Sequence, residues 1–358
     1  MAFPFIDTRN GKKPDQTLAV DLGGRTTKAV QVQRRGQGFV LGGYALLDAP
    51  IFEKTISAEL LAEHLKAVAQ ALTSKTKYVT LTVGVNDALL RYADMPRMTV
   101  ADLRRVLKLS AKTYLQQDLS GYVFDCHLGP PGQQAKAADK AKEPSGPPKQ
   151  RVLVAGTRKQ LLADYVQGGR SAGLTVDCIV PGLIGPVNAF EKAMPEIFAN
   201  EAVALVDLGF KSSSICLVQQ GELILSRVVG IGGDRLTSGL AEALNVSYAE
   251  AEGIKIGMPS EVQAQLEPLL LPLGRELRAS IDFFEHQQDR PVTQAFITGG
   301  SARSDFVVQT LQRELMIECK ILNPSTFLQL ELPPPQALDI EQVAPQLTVA
   351  LGAALAAL

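Results

Sequence analysis

Two acid–glycine turns carry the residues best suited to chemistry. Leu18-Ala19-Val20-Asp21-Leu22-Gly23-Gly24-Arg25-Thr26-Thr27 is matched by Leu205-Val206-Asp207-Leu208-Gly209-Phe210-Lys211-Ser212-Ser213, with the acid at 21 in one copy and 207 in the other. In each copy an apolar run ends in an acid, a glycine follows two residues on, a base four on, and hydroxyls at five and six. That order suits a phosphate clamp. The glycine lets the backbone bend close to an anion, and the free N–H groups of such a turn form an anion cradle. Hydroxyls add donors. An aspartate beside the phosphates suits Mg²⁺, which binds few carboxylates and keeps most of its waters. A lone Asp-x-Gly is most often a β-turn at a strand end. Two copies in one register, each opening about half of the chain, point to two half-molecules gripping one polyphosphate between them.

The composition limits the alternatives. The chain has 358 residues, long enough for two or three domains. With 36 basic and 37 acidic residues it is near neutral, so no whole-molecule field draws it to nucleic acid. Cys126, Cys178, Cys216 and Cys319 are far apart in the sequence, and the expectation is buried free thiols in a reducing compartment. His64, His127 and His286 lack metal-site spacing, and His64 is expected as a plain surface or boundary residue of a helix. The first sixteen residues are polar with no signal-peptide core, and the apolar run 349–358 is far short of a membrane span. A cytoplasmic protein is expected.

The elements that must position the turns follow from periodicity. Residues 1–16 read as a flexible extension, and the first turn's strands are separated by Gly36, with Gly42-Gly43 a further turn signal. Leu61, Leu65, Val68 and Leu72 predict a helix over 57–72 with Ser57 as N-cap. Residues 78–85 are expected as a strand. Thr99 caps a predicted helix over 100–115, followed by strands at 122–128 and 151–155, a helix over 159–171 and a strand over 174–180. Between them, 129–150 is poor in apolar residues and reads as a mobile loop. A helix is expected over 185–194. Strands at 203–206, 215–218 and 223–229 carry the second turn and close on Gly232-Gly233-Asp234. Helices are predicted over 234–244, over 247–256 with a Ser247/Glu250 capping box, and over 266–286 with a break near Pro272. A strand at 293–297, a helix at 305–315 and a strand at 319–322 follow. Residues 324–345 read as loop, and 347–358 as an apolar closing helix.

Together the two turns and Thr298-Gly299-Gly300-Ser301-Ala302 resemble the actin-like ATPase superfamily. The resemblance implies an α/β fold of two related lobes with ATP and Mg²⁺ in the cleft between them. It places Asp21, Gly23, Gly24, Arg25, Thr26, Thr27 and Lys28 in the first phosphate turn and Asp207, Gly209, Lys211, Ser212 and Ser213 in the second. Asp21 and Asp207 would hold Mg²⁺ through water. Gly232, Gly233 and Asp234 stand for a later nucleotide-contacting turn, and Glu252 and Lys255 for a helix that reaches ribose and adenine. Gly299, Gly300, Ser301 and Arg303 stand for the adenosine motif.

Within the superfamily the chain is most similar to the PilM family of type IV pilus assembly, with FtsA second. The insert from Met95-Pro96 to Gly173-Leu174 carries much of that likeness, as do Gly230 to Thr237, Tyr248 to Lys255 and Pro345 to Leu358. The implied organisation is a first lobe over 17–97 and 182–200, an inserted α+β subdomain over 98–181, and a second lobe over 201–358 with helices over 234–294. The implied role is a cytoplasmic ATP-binding scaffold of a pilus or related type II secretion platform. It would receive the N-terminal cytoplasmic peptide of a PilN-like inner-membrane protein, with candidate contacts at 103–115 and 161–168, self-association as a further possibility, and membrane contact only through that partner.

Three departures from the superfamily pattern bear on hydrolysis. Gly24 stands where the superfamily has Ser or Thr, beside Arg25 at a usually small or hydroxylic position. Ile179-Val180-Pro181 stands where an acidic pair is common, so no acid that orients an attacking water is evident. An FtsA-like filament protein and a small-molecule kinase are the alternative readings. The first would favour a basic amphipathic end, the second an acidic base at a substrate hydroxyl.

Overall fold

Apolar runs that end in the two acid–glycine turns fold into two copies of one arrangement. The structure is a computed structural model that describes residues 6–7, 13–128 and 149–358. Strand β2 (Gln16–Leu22) runs antiparallel to β3 (Thr26–Arg35) and parallel to β5 (Tyr78–Val83). Strand β10 (Ala202–Leu208) likewise runs antiparallel to β11 (Ser213–Gln219) and parallel to β13 (Gln294–Gly299). The sequence repeat is therefore a repeat of topology.

The first sheet has the order β1-β9-β5-β2-β3-β4-β15, with β1 at Ile6–Asp7, β4 at Gly38–Asp48, β9 at Thr175–Pro181 and β15 at Leu328–Leu330. The second has the order β12-β11-β10-β13-β14, with β12 at Glu222–Val229 and β14 at Glu318–Ile321.

Helices sort into layers by their apolar faces. Helices α1 (Ala58–Ala71) and α3 (Lys159–Ser171) bury Leu61, Leu65, Leu161 and Tyr165 on the outer face of the first sheet. Between the sheets lie α4 (Gly185–Ala193) and α11 (Thr348–Ala357), whose core includes Phe190, Leu351, Leu205 and Phe296. A short helix, α5 (Pro195–Asn200), leads from α4 into β10. Helix α11 is apolar all round, and every residue of it is buried, as that composition requires. Its Gly352 and Gly185 of α4 meet backbone to backbone. A Cβ at Gly352 would lie 2.6 Å from the Gly185 carbonyl carbon, and the buried Asn188 amide donates to the Gly352 carbonyl at 3.1 Å. The outer face of the second sheet is covered by α6 (Gly233–Leu244), α7 (Tyr248–Gly257), α8 (Gln263–Gln288) and α9 (Asp305–Leu315).

Between β5 and β9 the chain leaves the first lobe to build a three-stranded antiparallel sheet, β6-β8-β7, from Leu89–Pro96, Lys149–Arg158 and Tyr122–Leu128. Helix α2 (Val100–Leu115) covers it with Leu103 and Leu107 fully buried. The Arg104 guanidinium grips the Asp125 carboxylate at 2.6 and 3.2 Å. This insert also reaches the second lobe. Arg151 of β8 donates to the Ile224 carbonyl at 3.1 Å, and its guanidinium lies 3.9 Å from the centroid of the Tyr92 ring.

Several elements differ from the sequence expectation. The N-terminal extension contributes Ile6 and Asp7, paired with Ile179 and Cys178 of β9. Gly42 and Gly43 lie inside β4 at a bulge opposite Gln31 and Val32, not at a turn. Helix α8 runs unbroken for 26 residues through Pro268 and Pro272, because Leu266, Leu270, Leu273, Leu277, Ile281 and Phe284 form one continuous buried stripe. Residues 324–345 hold β15 and helix α10 (Pro334–Val343) where a loop is expected. β15 pairs with β4 of the first sheet, and α11 packs against β2, β3 and β5, so the end of the chain returns to the first lobe rather than staying in the second. The segment 129–150, expected as a mobile loop, lies outside the described residues apart from Lys149 and Gln150, which begin β8.

Candidate functional site

The two acid–glycine turns face each other at the ends of β2 and β10. A side chain at Gly24 would lie 3.4 Å from Lys211 and 3.5 Å from the Phe210 ring, which sets how closely the turns approach. Between them opens a cleft of about 670 Å³, within the range that takes a cofactor-sized molecule. Asp21, Arg25, Thr26 and Lys28 line it from the first lobe. Asp207, Gly209, Gly233, Glu252, Lys255, Gly299, Gly300, Ser301 and Arg303 line it from the second.

At the floor stands a charged triad. Lys28 Nζ donates to Asp21 Oδ2 at 3.1 Å, and the Thr82 hydroxyl donates to Asp21 Oδ1 at 2.9 Å. Burial lowers the Lys28 ammonium, but the carboxylates of Asp21 and Asp207 and the bond to Asp21 outweigh it and hold the group above its ordinary value. Burial raises Asp207 to about 6, against the pull of Lys28 and with the help of the Asp21 charge. Two carboxylates at one end of a cleft suit a Mg²⁺ that keeps its waters. Among the described residues no cluster of three or more metal-ligating side chains occurs, so a fully protein-caged metal has no donor set.

The side wall is built by helix starts. Gly232 precedes α6, and any Cβ there would meet the Gly209 carbonyl oxygen at 2.7 Å. Gly299 ends β13 at φ +93°, and its Cβ would lie 2.6 Å from Asp207 Oδ1. Gly299 keeps backbone close to the acid, and Gly232 keeps it close to the second turn. On α7 the Ser247/Glu250 capping box is formed, and it sets Glu252 and Lys255 on the cleft face. Lys255 Nζ donates to Glu252 Oε2 and to the Thr237 hydroxyl, both at 2.6 Å, and Thr237 also bonds Glu252. Burial raises Glu252, but the bonds from Lys255 and Thr237 and the Lys255 and Arg25 charges bring it below its ordinary value. Arg25 crosses from the first lobe to Glu252 Oε1 at 2.5 Å.

Not every expected site residue lines the cleft. The buried Thr27 hydroxyl pairs with His64 Nε2 at 2.8 Å, which draws it toward α1. Ser213 is buried and donates to the Ile231 carbonyl at 2.7 Å. Ser212 accepts from Asn86 of the first lobe at 3.4 Å. Lys211 pairs with Asp234 at 2.7 Å, and Tyr248 donates to the same carboxylate at 2.8 Å. Gly23, Gly24 and Gly232 act as close-packed backbone beside the cleft.

Other lining residues carry no pattern by which a sequence reveals them. Phe210, Leu236, Ile256 and Pro259 make part of the wall apolar. Gln346, just before α11, also lines the cleft, and its amide nitrogen is buried without a hydrogen-bond partner. An orphaned buried donor beside a cavity is costly unless a ligand satisfies it. The residues present therefore fit a nucleotide: an apolar wall, Arg25 and Lys28 for phosphate oxygens, two acids for a hydrated cation, and the unpaired Gln346 donor.

Comparison with known proteins agrees with this geometry. A family described as type IV pilus assembly protein PilM matches residues 19–358. The cell division protein FtsA of Bacillus subtilis (strain 168) is 31% identical over 104 residues. That match covers 29% of this chain and 23% of the relative, less than a quarter of its length. Among solved structures, a PilM–PilN type IV pilus biogenesis complex superposes with a TM-score of 0.81 at 21% identity, covering 97% of this chain and 99% of that one. The ethanolamine utilization protein EutJ of Carboxydothermus hydrogenoformans superposes with a TM-score of 0.55 at 16% identity, covering 97% and 91%. The fold is the actin-like ATPase fold.

Proposed function

The chain belongs to the PilM family of type IV pilus assembly proteins, and from that premise we propose that it is an ATP-binding scaffold of the inner-membrane assembly platform. The observation that carries the nucleotide reading is the cleft itself. Two phosphate-type turns face each other across it, Asp21, Lys28 and Asp207 stand at its floor, and the Gln346 donor is unspent. Mg²⁺ would supply charge neutralisation for the phosphates, held through water by Asp21 and Asp207. Lys28 would orient and neutralise phosphate oxygens, and Glu252, Lys255 and Ser301 would position the nucleoside. The site as built supports binding more than turnover. Ile179, Val180 and Pro181 are buried and offer no side-chain acceptor for a water proton.

The partner reading rests on the family and on the solved PilM–PilN complex. We assign to this chain a PilN-like inner-membrane protein whose cytoplasmic N-terminal peptide docks on the insert and adjoining first lobe. Contact with the membrane would then run through that partner, from the cytoplasmic side. The one stretch among the described residues long and apolar enough to span a membrane, Pro334–Ala357, has 78% of its apolar window buried within the fold, where it serves as core. This weighs against a membrane-spanning role for that stretch.

The deciding experiment is calorimetry with Mg·ATP, with phosphate release followed on the same sample and capture by an immobilised PilN-like tail with and without nucleotide. Binding without steady release, and nucleotide-dependent capture, is the expected result. No binding of Mg·ATP would overturn the nucleotide reading. Capture that ignores nucleotide would show that docking does not depend on ATP.

A further inference from the structure

Most cations around the cleft are paired within their own lobe. Lys28 is held by Asp21, Lys255 by Glu252, and Lys211 by Asp234. Of the ion pairs around the cleft among the described residues, Arg25–Glu252 is the one that crosses between lobes. The Arg25 side chain is 43% exposed, whereas that of Glu252 is 13% exposed. The guanidinium also sits 5.7 Å from the centroid of the Phe210 ring, again on the opposite lobe. Glu252 does not depend on Arg25, since Lys255 and Thr237 hold its other oxygen. Arg25 therefore has a partner that can spare it.

On the nucleotide reading above, we infer that Arg25 is a transferable cation. It bridges the lobes through Glu252, and a bound polyphosphate takes it over, so that the residue selects nucleotides against nucleosides. Three physical points carry this. The pair is open to solvent on its Arg25 side, where screening and side-chain entropy oppose it. A guanidinium presents a planar fork that matches two phosphate oxygens, and such charge-assisted bonds are about twice as strong as neutral ones. Arg25 belongs to the same turn as Gly24 and Thr26, at the phosphate end of the cleft, so a rotation of its flexible side chain suffices. The exchange conserves one lobe-spanning contact in each state. In the structure it runs from Arg25 to α7, and with polyphosphate bound it runs from Arg25 through the ligand to the second turn.

Calorimetry on the full chain tests the selection, with Mg·ATP and adenosine as the two probes. Arg25→Ala should weaken Mg·ATP about tenfold or more, a change of about 1.4 kcal/mol, and leave adenosine affinity unchanged. Arg25→Lys, which keeps the charge and loses the fork, should fall between. Unchanged Mg·ATP affinity, or an equal loss for both probes, would overturn the inference while leaving wild-type binding intact. Wild-type protein that binds neither probe would instead bring down the nucleotide reading and this inference with it. Amide exchange over residues 248–257 tests the transfer. Arg25→Ala should speed exchange in the empty protein and leave it unaltered under saturating Mg·ATP. The same acceleration in both states, or none in either, would show that no transfer takes place.

Discussion

The Tyr92 hydroxyl of the insert donates a hydrogen bond to the backbone carbonyl of Leu223 in the second lobe. Tyr92 lies on β6 and Leu223 on β12, each the outermost strand of its sheet. Burial, with the Glu222 charge, pushes the Tyr92 phenol up to about 12 despite Arg151, so it remains a donor at neutral pH. Arg151 completes the joint by stacking on Tyr92 and bonding Ile224. Tyr92→Phe should cost about 1 kcal/mol, the usual worth of one neutral hydrogen bond. Arg151→Ala should cost more, about 2–3 kcal/mol, because it also removes the charge that opposes the burial of the Glu222 carboxylate. Urea unfolding of the three proteins checks the order. Equal stability of Arg151→Ala and wild type would rule the joint out as a stabilising contact.

Asp207 bears on the cation rather than on the nucleoside. Asp207→Asn keeps the shape and removes the charge, so Mg·ATP affinity should fall at least tenfold. Affinity for adenosine without Mg²⁺ should hardly change. Titrations with and without Mg²⁺ separate the two, and an Asp207→Asn protein that keeps its Mg²⁺ dependence would displace the metal from this acid.

Two adjacent glycines should respond in opposite ways. Gly299 has φ +93°, and a Cβ there would run into Leu208 and Asp207 oxygens at 2.5 and 2.6 Å. Gly299→Ala should destabilise by about 1–3 kcal/mol and disturb nucleotide binding. Gly300 has open space around it, so Gly300→Ala should be close to neutral. Thermal unfolding of the pair is the check, and a neutral Gly299→Ala would contradict the close approach.

Protonation of histidine should weaken the fold in mild acid. Burial lowers His64 and His127 below the ordinary 6.5. The unfolded chain then binds protons at a higher pH than the native one, so stability rises with pH in that window. The contribution is complete above about 6.5 and is lost as pH falls through the lowered native values. His64→Gln should flatten this slope in urea unfolding between neutral pH and mild acid. An unchanged slope would show that His64 titrates alike in both states.

Much of the scaffold was readable because its signals are local. Thr99, Ser57 and Ser247 cap helices by short-range bonds that sequence spacing alone exposes. The two acid–glycine turns repeat a motif and so announce themselves. The failures are non-local. Pro334 at the first turn of α10 reads as loop until Tyr44 and Gln336 bond to each other across the sheet edge. Pro268 and Pro272 read as breaks until the second sheet supplies a face for α8 to cover. In the cleft, Phe210 and Gln346 are single residues far apart in the chain, and Thr27 has the right type and spacing but is claimed by His64. Only tertiary contacts sort such positions.

The meeting of Gly185 and Gly352 has a mechanical side. A methyl group at either position would meet the backbone of the facing helix, so a side chain there would have to push α4 and α11 apart. Asn188 pins the same crossing through the Gly352 carbonyl. Both helices lie buried between the two sheets, so spreading them would strain the whole middle layer at once. The crossing works as a rivet, and its tightness is set by the absence of two side chains.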